Sequence, residues 1–137
     1  MSKKKATNSS KTKLLESEST PIQLRTDKLR HTNIVNYSAD DVRFMLIQAV
    51  VDENLIHRAL DYLNDDILLD ALYYSGDLLF SMLSLPPIIW QSYPAALQKF
   101  KILIEKNKIL IADTLDLEAE ADRNLKKSLS VFIETYV

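Results

Sequence analysis

Residues 38–63 read SADDVRFMLIQAVVDENLIHRALDYL. Val42, Met45, Leu46, Ala49 and Val50 fall at i, i+3, i+4, i+7 and i+8, the spacing that gathers apolar side chains on one face of an α-helix. Ser38 with Asp41 three residues on is a capping arrangement, and carboxylates in the first turn meet the positive end of the helix. Asp52 is placed to cap a second helix, whose stripe is Leu55, Ile56, Ala59, Leu60 and Leu63. Two amphipathic helices in succession, with no strand-like alternation between them, set the fold class: all-α.

Downstream, Asn64 and Asp65 break the chain and restart it. The pattern predicts a third helix over Asp66 to Ser75, ended by Gly76 in a left-handed C′ position. Asp77 is then expected to cap a short fourth helix running through Leu83. Leu85-Pro86-Pro87 stops that helix, because the residue before a proline is pushed out of the α region. Pro87 and Pro94 can each begin another, since proline suits a first helical turn. Lys99-Phe-Lys-Ile-Leu-Ile-Glu and Lys106-Asn-Lys-Ile-Leu-Ile-Ala are near-copies seven residues apart. As a helix they give a broad apolar face flanked by Lys99/Lys106 and Lys101/Lys108; the competing reading is a hairpin turning at Lys106-Asn107. The missing turn glycine favours the helix. Asp113 or Asp116 is expected to cap a last helix striped by Leu117, Ala121, Leu125, Leu129, Phe132, Ile133 and Tyr136.

Upstream, residues 1–37 are rich in Lys, Ser, Thr and Asn, with scattered aliphatics and no period. Such a composition buries too little apolar area to offset chain entropy, so a disordered basic arm is expected there. Pro21 and the stretch from Asn33 to Tyr37 read as linker. Charge follows the same division. Residues 1–37 carry a net +5, residues 38–85 a net −7, and residues 86–137 balance. The expected organisation is thus an arm and linker over 1–37, then one helical domain over 38–137, a compact bundle of four to six helices.

One glycine, two histidines and no cysteine in 137 residues exclude much chemistry. Phosphate-cradling loops and nucleophile elbows need glycines where backbone approaches a ligand or takes positive φ. Thiolate metal sites, disulfides and cysteine nucleophiles are impossible, and His31 and His57 are too few for a histidine cage. Asp65-Asp66-Ile-Leu-Leu-Asp70 resembles the aspartate-rich magnesium motif of prenyl-diphosphate enzymes, but the second acidic motif is missing. Glu53 and His57 at i, i+4 read as an intrahelical pair. Parts of residues 48–72 are similar to a ubiquitin-associated domain, through Asp52-Glu-Asn-Leu55, Arg58-Ala-Leu60, Asn64-Asp65 and Ala71-Leu72. The loop where that family has Met-Gly-Phe reads Ala49-Val50-Val51, so its ubiquitin-contacting signature is absent. Thr135-Tyr136-Val137 resembles a class I PDZ ligand, while Tyr136 also continues the helix stripe. The apolar run Leu78 to Trp90 is interrupted and too short to span a bilayer. No apolar segment follows the first lysines. A soluble, intracellular, cytoplasmic protein without metal or cofactor is the expectation.

With no reaction centre legible, the expected function is that of a non-enzymatic interaction protein, a small subunit or accessory factor docking on a protein partner. Its candidate contacts are Lys3, Lys4, Lys5, Lys11, Lys13, Arg25, Lys28 and Arg30 of the arm, with Trp90 and Tyr93. Leu85-Pro-Pro-Ile-Ile-Trp90-Gln-Ser-Tyr93 is a candidate docking surface, but an interhelical link tucked under the core would look identical and is the favoured reading. An alternative is nucleic-acid binding, with the arm tracking phosphates beside Lys99, Lys101, Lys106 and Lys108. The arm lacks aromatics for base stacking, and the acidic half would repel a polyanion. A third class is an inhibitor that masks a basic protein surface with residues 38–85.

Overall fold

Thr20 opens the first described helix. Its hydroxyl accepts from the Gln23 N–H while the Gln23 side chain accepts from the Thr20 N–H, and Pro21 occupies the first turn. That reciprocal cap and the basic last turn (Lys28, Arg30) form α1, Pro21–Arg30. In the computed structural model, which describes residues 20–48 and 50–137, the arm expected over 1–37 is therefore corrected in its second half. The basic composition of 20–30 concealed a complete capping box. The disorder expected for residues 1–19 lies outside the described residues.

The chain divides into two compact units between Asn33 and Ile34. The second begins with a 3-10 turn, Ile34–Asn36, followed by α2, Ala39–Ile47. Ser38 and Asp41 form the expected capping box, with bonds of 2.9 and 3.1 Å. Asp52 caps α3, Glu53–Asp65, by accepting from the Leu55 N–H at 2.9 Å. Then follow α4 (Asp77–Leu83), α5 (Pro87–Ser92), α6 (Pro94–Thr114) and α7 (Glu120–Tyr136). This unit is a compact six-helix fold. The one β-type pairing among the described residues is an isolated antiparallel bridge between Asp70 and Ser75.

α4 is the hub. It packs against α2, α3 and α7, and Leu78, Leu79 and Met82 are fully buried, which is why its sequence is apolar all round instead of striped. Ser81, buried with them, donates to the Asp77 carbonyl at 3.0 Å. A second layer of core is aromatic. Trp90 of α5 stacks on Phe100 of α6 at 5.4 Å between centroids, and Phe132 of α7 meets Trp90 edge-on at 6.2 Å and Phe100 at 5.1 Å. Such pairs stabilise by about 0.5–1.5 kcal/mol beyond the area they bury.

Four expectations change in the fold. Residues 66–76 are an irregular loop, not a third helix. Gly76 does adopt the left-handed conformation (φ 90°), but as the residue before α4, and a Cβ there would lie 2.8 Å from Leu125 Cδ2. The Asp77 side chain turns away from its own helix end to bind that loop. The last helix starts at Glu120 after Ala119, with no side-chain cap; Asp116 is instead tied into the preceding turn, its N–H donating to Asp122 at 2.7 Å.

The 99–111 repeat is helical, but its apolar face is not broad. Three consecutive apolar residues sweep about 200° around a helix, so Leu103, Ile104 and Ile111 are buried while Ile102, Ile109 and Leu110 are exposed.

Candidate protein-binding face

Helix α3 turns Leu55, Ile56, Ala59, Leu60 and Leu63 into the core. The same 3.6-residue period sends Glu53, His57, Asp61, Asn64 and Asp65 to the opposite side. Most of these are exposed, and Glu53 reaches His57 at 3.9 Å. Asp66 and Asp70 carry the exposed carboxylates onward into the loop. Between α3 and α6 lies a cleft of about 270 Å³, where His57, Asp61 and Asn64 face Lys99 and Ile102.

The loop is built around a buried charge. Asp77, 2% exposed, accepts from the backbone N–H groups of Ala71 (2.8 Å), Leu72 (3.1 Å) and Tyr73 (3.0 Å). These three bonds explain why 66–75 is not helical. The amides that an α-helix would aim at carbonyls four residues back are captured by a carboxylate further along the chain. A buried carboxylate is tolerable only when so satisfied. The loop's base is closed by the Ser75 hydroxyl, which donates to the Leu68 carbonyl at 2.7 Å, and by the Gly76 N–H, directed at Leu68 and Leu69. At its tip Leu72 and Tyr73 are exposed, and Arg43 lies over the Tyr73 ring at 4.6 Å. Arg43 is itself held by Asp40 at 2.8 Å. Burial and the Asp77 carboxylate push the neighbouring Tyr74 hydroxyl above its usual pKa, with Arg43 opposing. Tyr37 is raised as well, by burial and then by Asp52 and Asp41.

Of the contacts expected from sequence, Lys3, Lys4, Lys5, Lys11 and Lys13 lie outside the described residues. Arg25, Lys28 and Arg30 sit on α1, Arg25 half-buried and the other two exposed. Trp90 is corrected. It is 1% exposed and a partner cannot reach its ring; its segment presents Ile88 to solvent instead. Tyr93 is half-buried at the joint between α5 and α6. The four α6 lysines do not form one row. Lys99 and Lys106 lie on one flank, Lys101 and Lys108 about 180° around the helix, and Lys108 is drawn towards Glu105 at 3.4 Å. The Asp65–Asp70 constellation loses its helical spacing in the loop, where Asp66 accepts from the Leu68 N–H. Among the described residues no cluster of three metal-ligating side chains occurs, and no helix is long and apolar enough to cross a membrane.

What sequence reasoning missed is the clamped loop. A signal was present: Tyr-Tyr-Ser-Gly-Asp over 73–77 is turn chemistry, outweighed there by Ile67, Leu68, Ala71 and Leu72 at helical spacing.

The described residues define a small all-helical protein. The chain belongs to the CDI immunity proteins, whose family model matches residues 7–100. No curated protein and no solved structure matches it. The matched stretch contains α3, the clamped loop and α4; α7 lies beyond it.

Proposed function

We propose that this chain is a non-enzymatic immunity protein that binds a protein toxin and neutralises it by covering a basic surface with its acidic half. The observation that carries this is the family match over residues 7–100, the stretch that also bears the exposed carboxylates of α3 and the loop. A net charge of −7 over residues 38–85 favours fast, selective encounter with a cationic protein surface, because complementary charge acts on association rate and on rejection of wrong partners. The partner is thus something to be silenced, in place of the larger assembly that an accessory subunit would join. Nucleic-acid binding through the α6 lysines finds no support in their division between opposite flanks.

The test is growth rescue. Toxin domains are expressed one at a time in a sensitive host, with and without this chain, and a domain whose killing is relieved is then purified for binding. Wild type should relieve killing by at least one such domain. Asp61→Lys combined with Asp65→Lys should slow association about tenfold or more and reduce its salt dependence. Failure to rescue against any domain would refute the role. Rescue with unchanged association of the charge-reversed variant would refute the acidic face as the contact.

A further inference from the structure

We propose that the 70–75 loop is the anchor of that docking face, with Leu72 and Tyr73 entering together an apolar pocket on a protein partner whose rim carries Lys or Arg. The inference rests on the toxin-binding role and assigns the residues that supply its affinity.

Four observations converge on these two side chains. They are adjacent and largely solvent-exposed, 55% and 69%, so they contribute little to the core. Their own backbone amides are two of the three held by Asp77, and the Asp70–Ser75 bridge closes the loop behind them. The buried carboxylate thus spends its hydrogen-bonding capacity on stiffening a loop that presents apolar groups to water. An acidic residue in the first turn of α4 would serve the helix end equally well from the surface. Preorganisation of this kind raises affinity by removing the entropy lost when a mobile loop is ordered on binding.

The third observation is Arg43. Its guanidinium supports the Tyr73 ring from below, 8% exposed and neutralised by Asp40. A partner therefore meets an aromatic ring of fixed orientation without an unpaired cation beside it. Tyrosine supported in this way supplies large contact area at low conformational cost, as at interface hot spots. The fourth is charge. Asp65, Asp66 and Asp70 are exposed on the run leading into the loop, so a cationic rim around the pocket would be attracted and an anionic one rejected. Ile109 and Leu110 on α6 are exposed apolar residues as well, but they have no such clamp and lie outside the cleft beside α3. They serve as the internal control.

The experiment uses the full chain and a toxin domain that wild type neutralises. Binding kinetics are measured for wild type, Leu72→Ala, Tyr73→Ala, their double variant, and the control Ile109→Ala/Leu110→Ala. Because Leu72 and Tyr73 are exposed, circular dichroism melts should match wild type. Each single substitution should weaken Kd by roughly 30-fold, mainly through faster dissociation. The double variant should no longer rescue growth, while its association rate keeps the wild-type salt dependence and the control stays within about twofold of wild type. Asp77→Asn, compared at a temperature where it is folded, should bind more weakly than wild type although it leaves both anchors in place. A double variant that binds within about threefold of wild type would overturn the anchor and leave the toxin-binding role standing. Wild type that neutralises no toxin domain would overturn both.

Discussion

Replacing Asp77 by alanine removes the acceptor of three backbone N–H groups, and the size of the effect follows from where those groups sit. Hydrogen bonds to a charged partner are each worth about 1.5–3 kcal/mol net, so three bonds at 2.8–3.1 Å set an upper bound of roughly 9 kcal/mol. Two terms reduce it. Leu72 and Tyr73 are exposed, so their freed amides regain water, and only Ala71, half-buried, is at risk of staying unsatisfied. Deleting the carboxylate also removes the penalty of burying it, which is itself several kcal/mol. The expected net loss is about 2–4 kcal/mol, within the 5–15 kcal/mol typical of a domain, so the variant should remain folded at low temperature. Trp90, the sole tryptophan and buried, reports unfolding by fluorescence in urea. At a slope of roughly 1–3 kcal/mol/M the midpoint should fall by about 1–2 M. Hydrogen exchange supplies the local check: the amides of residues 71–73, protected in wild type, should become the fastest-exchanging of the α3–α4 region. A stability change below about 0.5 kcal/mol with those amides still protected would refute the clamp.

Trp90→Ala should cost about 3–5 kcal/mol, since it opens a cavity between Phe100 and Phe132; a circular dichroism melt unchanged from wild type would return Trp90 to the surface. Alkaline pH should destabilise the fold through Tyr37 and Tyr74. Both hydroxyls are raised above 10.0, so the folded state holds their protons longer than the unfolded chain does. Their contribution is fully present below pH 10.0 and is lost as pH rises through the higher folded values. Urea midpoints measured from pH 9 to 11.5 should therefore fall, and the Tyr37→Phe/Tyr74→Phe double variant should fall less steeply. Equal slopes would refute the assignment.

The all-helical class, the capped starts of α2 and α3, the proline-started α5 and α6, and the inward stripe of α3 were all legible along the chain. Each depends on groups three or four residues apart. The Ser38–Asp41 box and the Asp52 cap are closed within one turn, and no distant residue is needed to form them. The −7 segment that supplies the candidate face was equally plain in composition, as was the want of glycines and cysteines for many reaction centres.

Where distant parts of the chain compete for the same group, local pattern misleads. Trp90 beside two prolines suited a surface anchor as well as a core residue, and only Phe132, 42 positions away, closes the aromatic cluster over it. Residues 66–75 carry helical spacing, yet the Asp77 carboxylate takes their amides once α4 is packed between α2, α3 and α7. The Ile-Leu-Ile run is the same in both near-copies, but Leu103 is covered and its counterpart Leu110 is not. Sequence by itself determined the all-helical class, the capped or proline-started helices α2, α3, α5 and α6, and which segment is acidic, because capping and periodicity act within a turn. Tertiary structure decided which apolar and charged groups are spent on the core and which remain for a partner, because burial depends on what the rest of the chain brings to each face.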